Sequence, residues 1–166
     1  KICLIGTGYV GLVSGACFAD LGNSIWCVDN DKEKIGLLNS GHIPFFEPGL
    51  QELVVKNYSS GRLKFTTDLG MAVKNSDIIF ICVGTPTSKK NRSANLTGDK
   101  IERIILRKKR KKLFEIVSNP EFLREGDAIR DFRFPDRIIV GTNNKKVTKK
   151  LHSLYEPLIK KGAKFF

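Results

Sequence analysis

Six residues near the start of the chain constrain its fold more than any other feature. Gly6-Thr7-Gly8-Tyr9-Val10-Gly11 follows the β-rich apolar run Ile2–Ile5 without a spacer and leads directly into a helical stretch over about 10–21. In this strand-turn-helix setting each glycine of a GxGxxG pattern has a mechanical duty. The first makes the tight turn, the second lets backbone approach a diphosphate, and the third allows close packing of helix on strand. A diphosphate would rest on the amides at the helix start, where aligned peptide dipoles favour negative charge. Asp29 ends the next strand 18 residues after Gly11, where an acid can accept both hydroxyls of a ribose; the usual interval is roughly 20. A carboxylate there repels the 2′-phosphate of NADP, so NAD is the expected cofactor. The alternative for Asp29 is a cap on the following helix, a role Asn30 or Asp31 could fill instead.

Beyond this turn, short β-rich runs alternate with longer amphipathic stretches. Strands are expected at Ile25–Val28, Leu63–Thr66 and 78–83, with helices over about 32–38 and 50–56 and another opened by Asp68 as its cap. The 78–83 run is nearly all apolar, which predicts burial on both faces. A polar, aperiodic loop covers 88–95, then a helix 99–109 and a strand 115–117. A turn at Asn119-Pro120 enters a short helix over 121–129. A strand 138–140, a helix 146–159 with Leu151, Leu154 and Leu158 on one face, and a last strand from Ala163 complete the pattern. Strands alternating with helices define an α/β fold, here a Rossmann-type doubly wound parallel sheet with helices on both faces. At 166 residues, with no internal repeat or linker, one domain spanning 1–166 is expected.

Composition narrows the function classes. No apolar run approaches the roughly 18 residues that cross a bilayer, and the apolar start breaks at once into glycines, unlike a signal peptide. A membrane role is not expected and the cytoplasm is the expected location. Cys3, Cys17, Cys27 and Cys82 have no CxxC spacing, and His42 and His152 are the only histidines. The thiols read as reduced core residues, with no metal site. The net charge of +12 is the outlier, part of it in the unbroken run from Arg107 to Lys112. No aromatic residues interleave with that run as nucleic-acid stacking requires, so it reads as a solvated surface and nucleic acid is not an expected partner.

Three further segments are not generic to such folds: IPFFEPGLQELV (43–54), VGTPT (83–87) and SNPEFLREG (118–126). With the glycine turn they resemble the UDP-glucose/GDP-mannose dehydrogenase family along essentially the whole chain. PDRIIVG (135–141) and Ser93-Ala94-Asn95-Leu96 are more similar to the UDP-glucose branch than to the GDP-mannose branch. The resemblance implies oxidation of a sugar's primary alcohol at carbon 6 to a carboxylate, UDP-glucose to UDP-glucuronate, in two NAD-dependent hydride transfers with a cysteine holding the intermediate. GDP-mannose or an N-acetyl-hexosamine nucleotide is the alternative substrate. From a different class comes a non-catalytic NAD- or nucleotide-sensing module with a basic surface.

The resemblance also implies roles for matching positions. Gly6, Gly8, Tyr9, Val10 and Gly11 would carry the diphosphate, Asp29 and Lys34 the adenosine ribose, and Thr85 and Glu125 further cofactor contacts. Glu121 would be catalytic, orienting or activating water for thioester hydrolysis, and Glu121, Phe122, Leu123, Arg124 and Glu125 would line the sugar and nicotinamide pocket. Physically, a carboxylate just past a proline turn and beside Phe122 and Leu123 has its pKa raised if it is desolvated, and then serves as a base. The plainer reading of Glu121 is a solvent-facing glutamate at a helix start, stabilised by the dipole. Arg124 and Lys34 likewise read as surface cations, and Thr85 as a turn residue before Pro86. The full-length protein is expected to be a homo-oligomer acting on a nucleotide sugar.

Two departures from the family pattern matter. Leu96 runs straight into Thr97-Gly98-Asp99, where family members carry a helix, a strand and a motif STVPVGT. A stretch deleted or skipped between 96 and 97 is therefore expected. The family's nucleophilic cysteine lies in a later domain, and a nucleophile must be exposed with a lowered pKa, which core thiols are not. The chain as written is expected to bind NAD and to turn over nothing alone.

Overall fold

The computed structural model describes residues 1–84 and 114–166, so the expected helix 99–109, the 88–95 loop, the 96–97 junction and Thr85 lie outside the described residues. The chain divides into two compact units, Lys1–Val83 with Phe122–Phe134, and Gly84–Glu121 with Pro135–Phe166.

In the first unit the elements run β1 (Ile2–Ile5), α1 (Tyr9–Asp20), β2 (Ile25–Val28), α2 (Lys32–Asn39), α3 (Leu50–Ser59), β3 (Leu63–Thr66), α4 (Leu69–Lys74), β4 (Ile78–Ile81) and α5 (Ala128–Arg133). The strands form one parallel sheet in the order β3-β2-β1-β4, with Ile2 in register with Ile25 on one side and Ile78 on the other. Strand alternation sends neighbouring side chains to opposite faces. A Cβ placed on Gly15 of α1 would meet Cys27 Sγ at 2.6 Å and Leu4 at 3.6 Å, so Leu4 and Cys27 face α1. Cys3 and Val28 cluster instead with Ala72 of α4. Helices thus cover both faces. Residues Gly11 to Ala19 of α1 are buried without a break, as befits a helix enclosed on all sides.

Helix starts were readable from capping chemistry. Asp31 accepts from the Lys34 amide at 3.0 Å and Asp68 from the Met71 amide at 2.8 Å, satisfying donors that a helix start leaves open. The expectation for β4 fails in part. The strand ends at Ile81, and Ile79, Ile81 and Val83 are 43%, 48% and 54% exposed. Phe80 packs on Phe18 of α1, with ring centroids 5.3 Å apart. The opposite face of β4 is not covered by a described helix, because α4 lies over β1 and β2.

The second unit holds β5 (Arg137–Ile138), α6 (Lys145–Ile159) and β6 (Lys164–Phe165). β5 and β6 pair in parallel; α6 buries Leu151, Tyr155 and Leu158 and is capped by Asn144. Leu154 is only half-buried, so Tyr155 takes its expected place on the inner face. The Tyr155 hydroxyl donates to Asn119 Oδ1 at 2.5 Å, and Asn119 Nδ2 donates to the Ile139 carbonyl at 2.8 Å. The expected strand 115–117 is not a strand. Only Ser118 bridges, antiparallel, to Gly141, because a strand exists only where a neighbouring ladder accepts it. The expected helix 121–129 is also corrected: residues 121–124 are irregular, 125–127 form a turn, and helix begins at Ala128 in the first unit.

Cys3, Cys17 and Cys27 are buried and Cys82 half-buried, all as free thiols. Burial pushes Cys3 up to about 11 and Cys17 up to about 12, so these thiols stay protonated at neutral pH. Among the described residues no group of acids, histidines and cysteines has the geometry of a metal site, and no helix is long and apolar enough to cross a membrane.

Candidate dinucleotide site

The glycine turn joins β1 to α1, and its three glycines are constrained in three ways. Gly6 has φ +100°, a left-handed conformation that disfavours any side chain, and an added Cβ would sit 2.9 Å from the Cys82 carbonyl oxygen. A Cβ on Gly11 would lie 1.9 Å from the Gly6 carbonyl oxygen and 3.2 Å from Cys82 Cβ. The closest neighbour of the third glycine is therefore the turn itself, with the strand side next. At Gly8 an added Cβ would meet nothing within 4 Å, so this position faces open space. Gly8 is also the N-cap of α1 and supplies no side-chain cap to the helix, so the first amides of the helix receive no acceptor from the cap side chain.

Asp29 stands beside this turn at the carboxyl end of β2. Its Oδ2 accepts from the Thr7 amide at 2.9 Å, the Thr7 hydroxyl at 2.8 Å and Lys34 Nζ at 3.1 Å, and its Oδ1 accepts from the Asp31 amide at 3.1 Å. Burial alone would raise its pKa. The hydrogen bonds from Thr7, Asp31 and Lys34 outweigh it and hold the carboxyl well below the usual carboxylate range. Asp31, not Asp29, caps α2, which leaves Asp29 at the turn.

A second acid was not foreseen. Glu47, in the loop between α2 and α3, is only 3% exposed. Its Oε2 accepts from the Tyr9 hydroxyl at 2.5 Å and the Gly126 amide at 2.8 Å, and its Oε1 from the Ala128 amide at 2.9 Å. Burial would raise its pKa, yet these donors lower it, while burial and the Glu47 contact push the Tyr9 phenol up to about 12. Tyr9 therefore keeps its proton and Glu47 its charge. The Tyr9 ring also packs on Phe45, centroids 5.2 Å apart.

Phe122, Leu123, Arg124 and Glu125 lie in the first unit, and Glu121 in the second. Glu121 is solvent-exposed. Arg124 is exposed and ion-paired to Asp131 at 2.6 Å and Asp127 at 3.1 Å, while its carbonyl accepts from the Tyr9 hydroxyl at 3.3 Å. Thr7, Glu47 and Asp131 escaped the sequence reading. The only signal for Glu47 was a lone acid inside the apolar string Ile43 to Pro48.

An acid at the second strand tip, bonded to a glycine turn that opens a buried helix, defines a dinucleotide-binding Rossmann-type domain. The chain belongs to the UDP-glucose/GDP-mannose dehydrogenase family, as its NAD binding domain: the family model matches residues 1–105 and 95–159. Similar curated relatives are the UDP-glucose 6-dehydrogenase of Rhizobium meliloti, 44% identical with 95% of this chain and 43% of the relative covered, and TuaD of Bacillus subtilis, 42% identical with 95% and 40% covered. Among solved structures, a GDP-mannose dehydrogenase from Pseudomonas aeruginosa in a ternary complex superposes with a TM-score of 0.84 at 31% identity, over 100% of this chain and 45% of that one. A UDP-glucose dehydrogenase from Pyrobaculum islandicum does so with a TM-score of 0.87 at 28% identity, over 99% and 45%. The chain spans less than half the length of these relatives. The Rhizobium alignment runs over 189 residues while covering 95% of this chain, so that relative carries about thirty more residues within the shared span.

Proposed function

We propose that this chain is the NAD-binding half of a UDP-glucose 6-dehydrogenase, a protein that oxidises carbon 6 of UDP-glucose to the carboxylate of UDP-glucuronate. The observation that carries the reading is the Asp29 carboxylate, ionised and tied to Thr7 of the glycine turn. Turn and acid are thereby joined, and the turn has open space at Gly8. A diphosphate fits that space on the amides of Tyr9 and Val10, between Gly6 and Gly11. Asp29, steadied by Lys34, receives the adenosine ribose, and its negative charge selects NAD over NADP. NAD, when bound, accepts the hydride; the residues here bind and orient it. By the resemblance, Glu125 would add a further cofactor contact and Phe122 to Glu125 would face the sugar.

The preference for UDP-glucose rests on the identities of 44% and 42% to curated UDP-glucose 6-dehydrogenases; the solved structures do not separate the two substrates, at 31% for the GDP-mannose enzyme and 28% for the UDP-glucose one. Turnover requires the nucleophilic cysteine that the resemblance puts in a later domain, so this chain contributes binding and the rest of a full-length homo-oligomer contributes chemistry. Calorimetry with NAD, NADP, UDP-glucose and a duplex oligonucleotide tests the reading. NAD is expected to bind, NADP at least tenfold more weakly, and Asp29→Ala to lose at least tenfold in NAD affinity. Salt-sensitive duplex binding without NAD binding would favour instead a non-catalytic module with a basic surface.

A further inference from the structure

Glu47 has more partners than its place in a surface loop requires. Its buried carboxylate gathers three stretches distant in sequence. These are Tyr9 of the glycine turn, its own 43–49 loop, and the turn at 124–128 through the Gly126 and Ala128 amides. The Tyr9 hydroxyl adds a donation to the Arg124 carbonyl and accepts from the Gly126 amide at 3.3 Å. Gly126 itself has φ +88°, a left-handed conformation that glycine adopts without steric cost and that a residue with a side chain would resist. A carboxylate with 3% exposure is held ionised by these hydrogen bonds, and removing one of them weakens the compensation of a buried charge.

We propose that Glu47 is a positioning residue of the cofactor site: by gripping the Tyr9 hydroxyl and the Gly126 and Ala128 amides together, it fixes the 122–128 segment against the diphosphate turn. This rests on the NAD-binding reading and deepens it. Tyr9 is the first residue of α1, next to Gly8, so a diphosphate that orders the turn also orders Tyr9 and, through Glu47, the residues that follow Phe122. Two events that stabilise one arrangement must strengthen each other by the same factor. NAD should therefore tighten the 124–128 turn, and the Glu47 grip should tighten NAD.

The test uses the 166-residue chain, Glu47→Gln and Tyr9→Phe, the latter removing only the hydroxyl in case the former folds poorly. Hydrogen exchange at the Gly126 and Ala128 amides is measured with and without NAD, beside NAD affinity by calorimetry. In the unaltered chain NAD is expected to slow exchange at both amides about tenfold. In Glu47→Gln that slowing disappears and NAD affinity falls about tenfold; Tyr9→Phe shows the same change in smaller measure. A purely structural Glu47 would leave NAD without effect on these amides in the unaltered chain, or leave NAD affinity unchanged in both variants, and either result overturns the proposal. Failure of the unaltered chain to bind NAD at all would overturn the cofactor reading and the positioning role with it, which distinguishes the two failures.

Discussion

The two units of this chain solve the problem of charge in opposite ways. In the first, ten lysines and arginines stand against eleven acids, and its acids are engaged: Asp20 with Lys56 and Arg133, Asp29 with Lys34, Asp131 with Arg124. In Pro135–Phe166 of the second, eight cations face two acids. Lys145, Lys146, Lys149 and Lys150 crowd the start of α6, where the helix dipole disfavours positive charge. The lesson is that net charge says little about the site. Ten cations against eleven acids give the first unit a net charge of −1, so the +12 of the chain belongs to the second unit, whereas the candidate cofactor cradle is built from ionised acids, each held by several donors.

The contrast can be broken most sharply at Gly11. Gly11→Val puts carbon into the Gly6 carbonyl and is expected to destabilise the first unit by about 3 kcal/mol or more. Denaturant unfolding followed by the fluorescence of Trp26, which sits in β2, measures this, while amide protection at Tyr155 and Leu158 in the second unit should hold. Joint loss would show that the units are not separable. Next, Leu4→Ala at a fully buried position should cost about 3 kcal/mol and Ile81→Ala, at 48% exposure, about 1 kcal/mol; equal losses by the same assay would mean that β4 is covered in solution.

Acid should act on the first unit through its depressed carboxyls. Asp29 and Glu47 have folded pKa values below their unfolded ones of about 3.9 and 4.3, so their contribution is complete above those values and lost as pH falls through the folded ones. Trp26-detected stability is expected to be flat between about pH 7 and 5 and to decline below about pH 4, with Asp29→Asn flattening the decline. An unaltered slope in that variant would contradict the role assigned to its hydrogen bonds. The smallest effect is expected in the second unit: Lys145→Glu should stabilise α6 by about 0.5 kcal/mol, read by exchange at Leu151, and destabilisation would show that the lysine has a partner the dipole argument overlooks.

What the sequence disclosed follows the range of the forces involved. β1, β2 and β3 were legible to the residue, and the cap Asp68 marked α4 while that of α2 stayed open among Asp29, Asn30 and Asp31, because strand runs, glycine turns and capping are local chemistry. The placement of Asp29 beside the glycine turn was legible for the same reason, its interval from the turn being set by one helix and one strand. The outer face of β4 was not, since an apolar run says nothing of whether something covers it. Strand 115–117 failed because pairing needs a neighbour, and the helix expected at Glu121 starts at Ala128. Glu47 was invisible because its donors come from residues 9, 126, 128 and 129, brought together only by folding.

The central claim is that the glycine turn and Asp29 form one cradle for NAD. The most direct measurement follows backbone amide resonances of the chain during titration with NAD. Thr7, Gly8, Tyr9, Val10 and Asp29 are expected to shift together with a single dissociation constant, while the amides of α6 stay in place. Shifts confined to α6, or a glycine turn and Asp29 that respond with different dissociation constants, would contradict it.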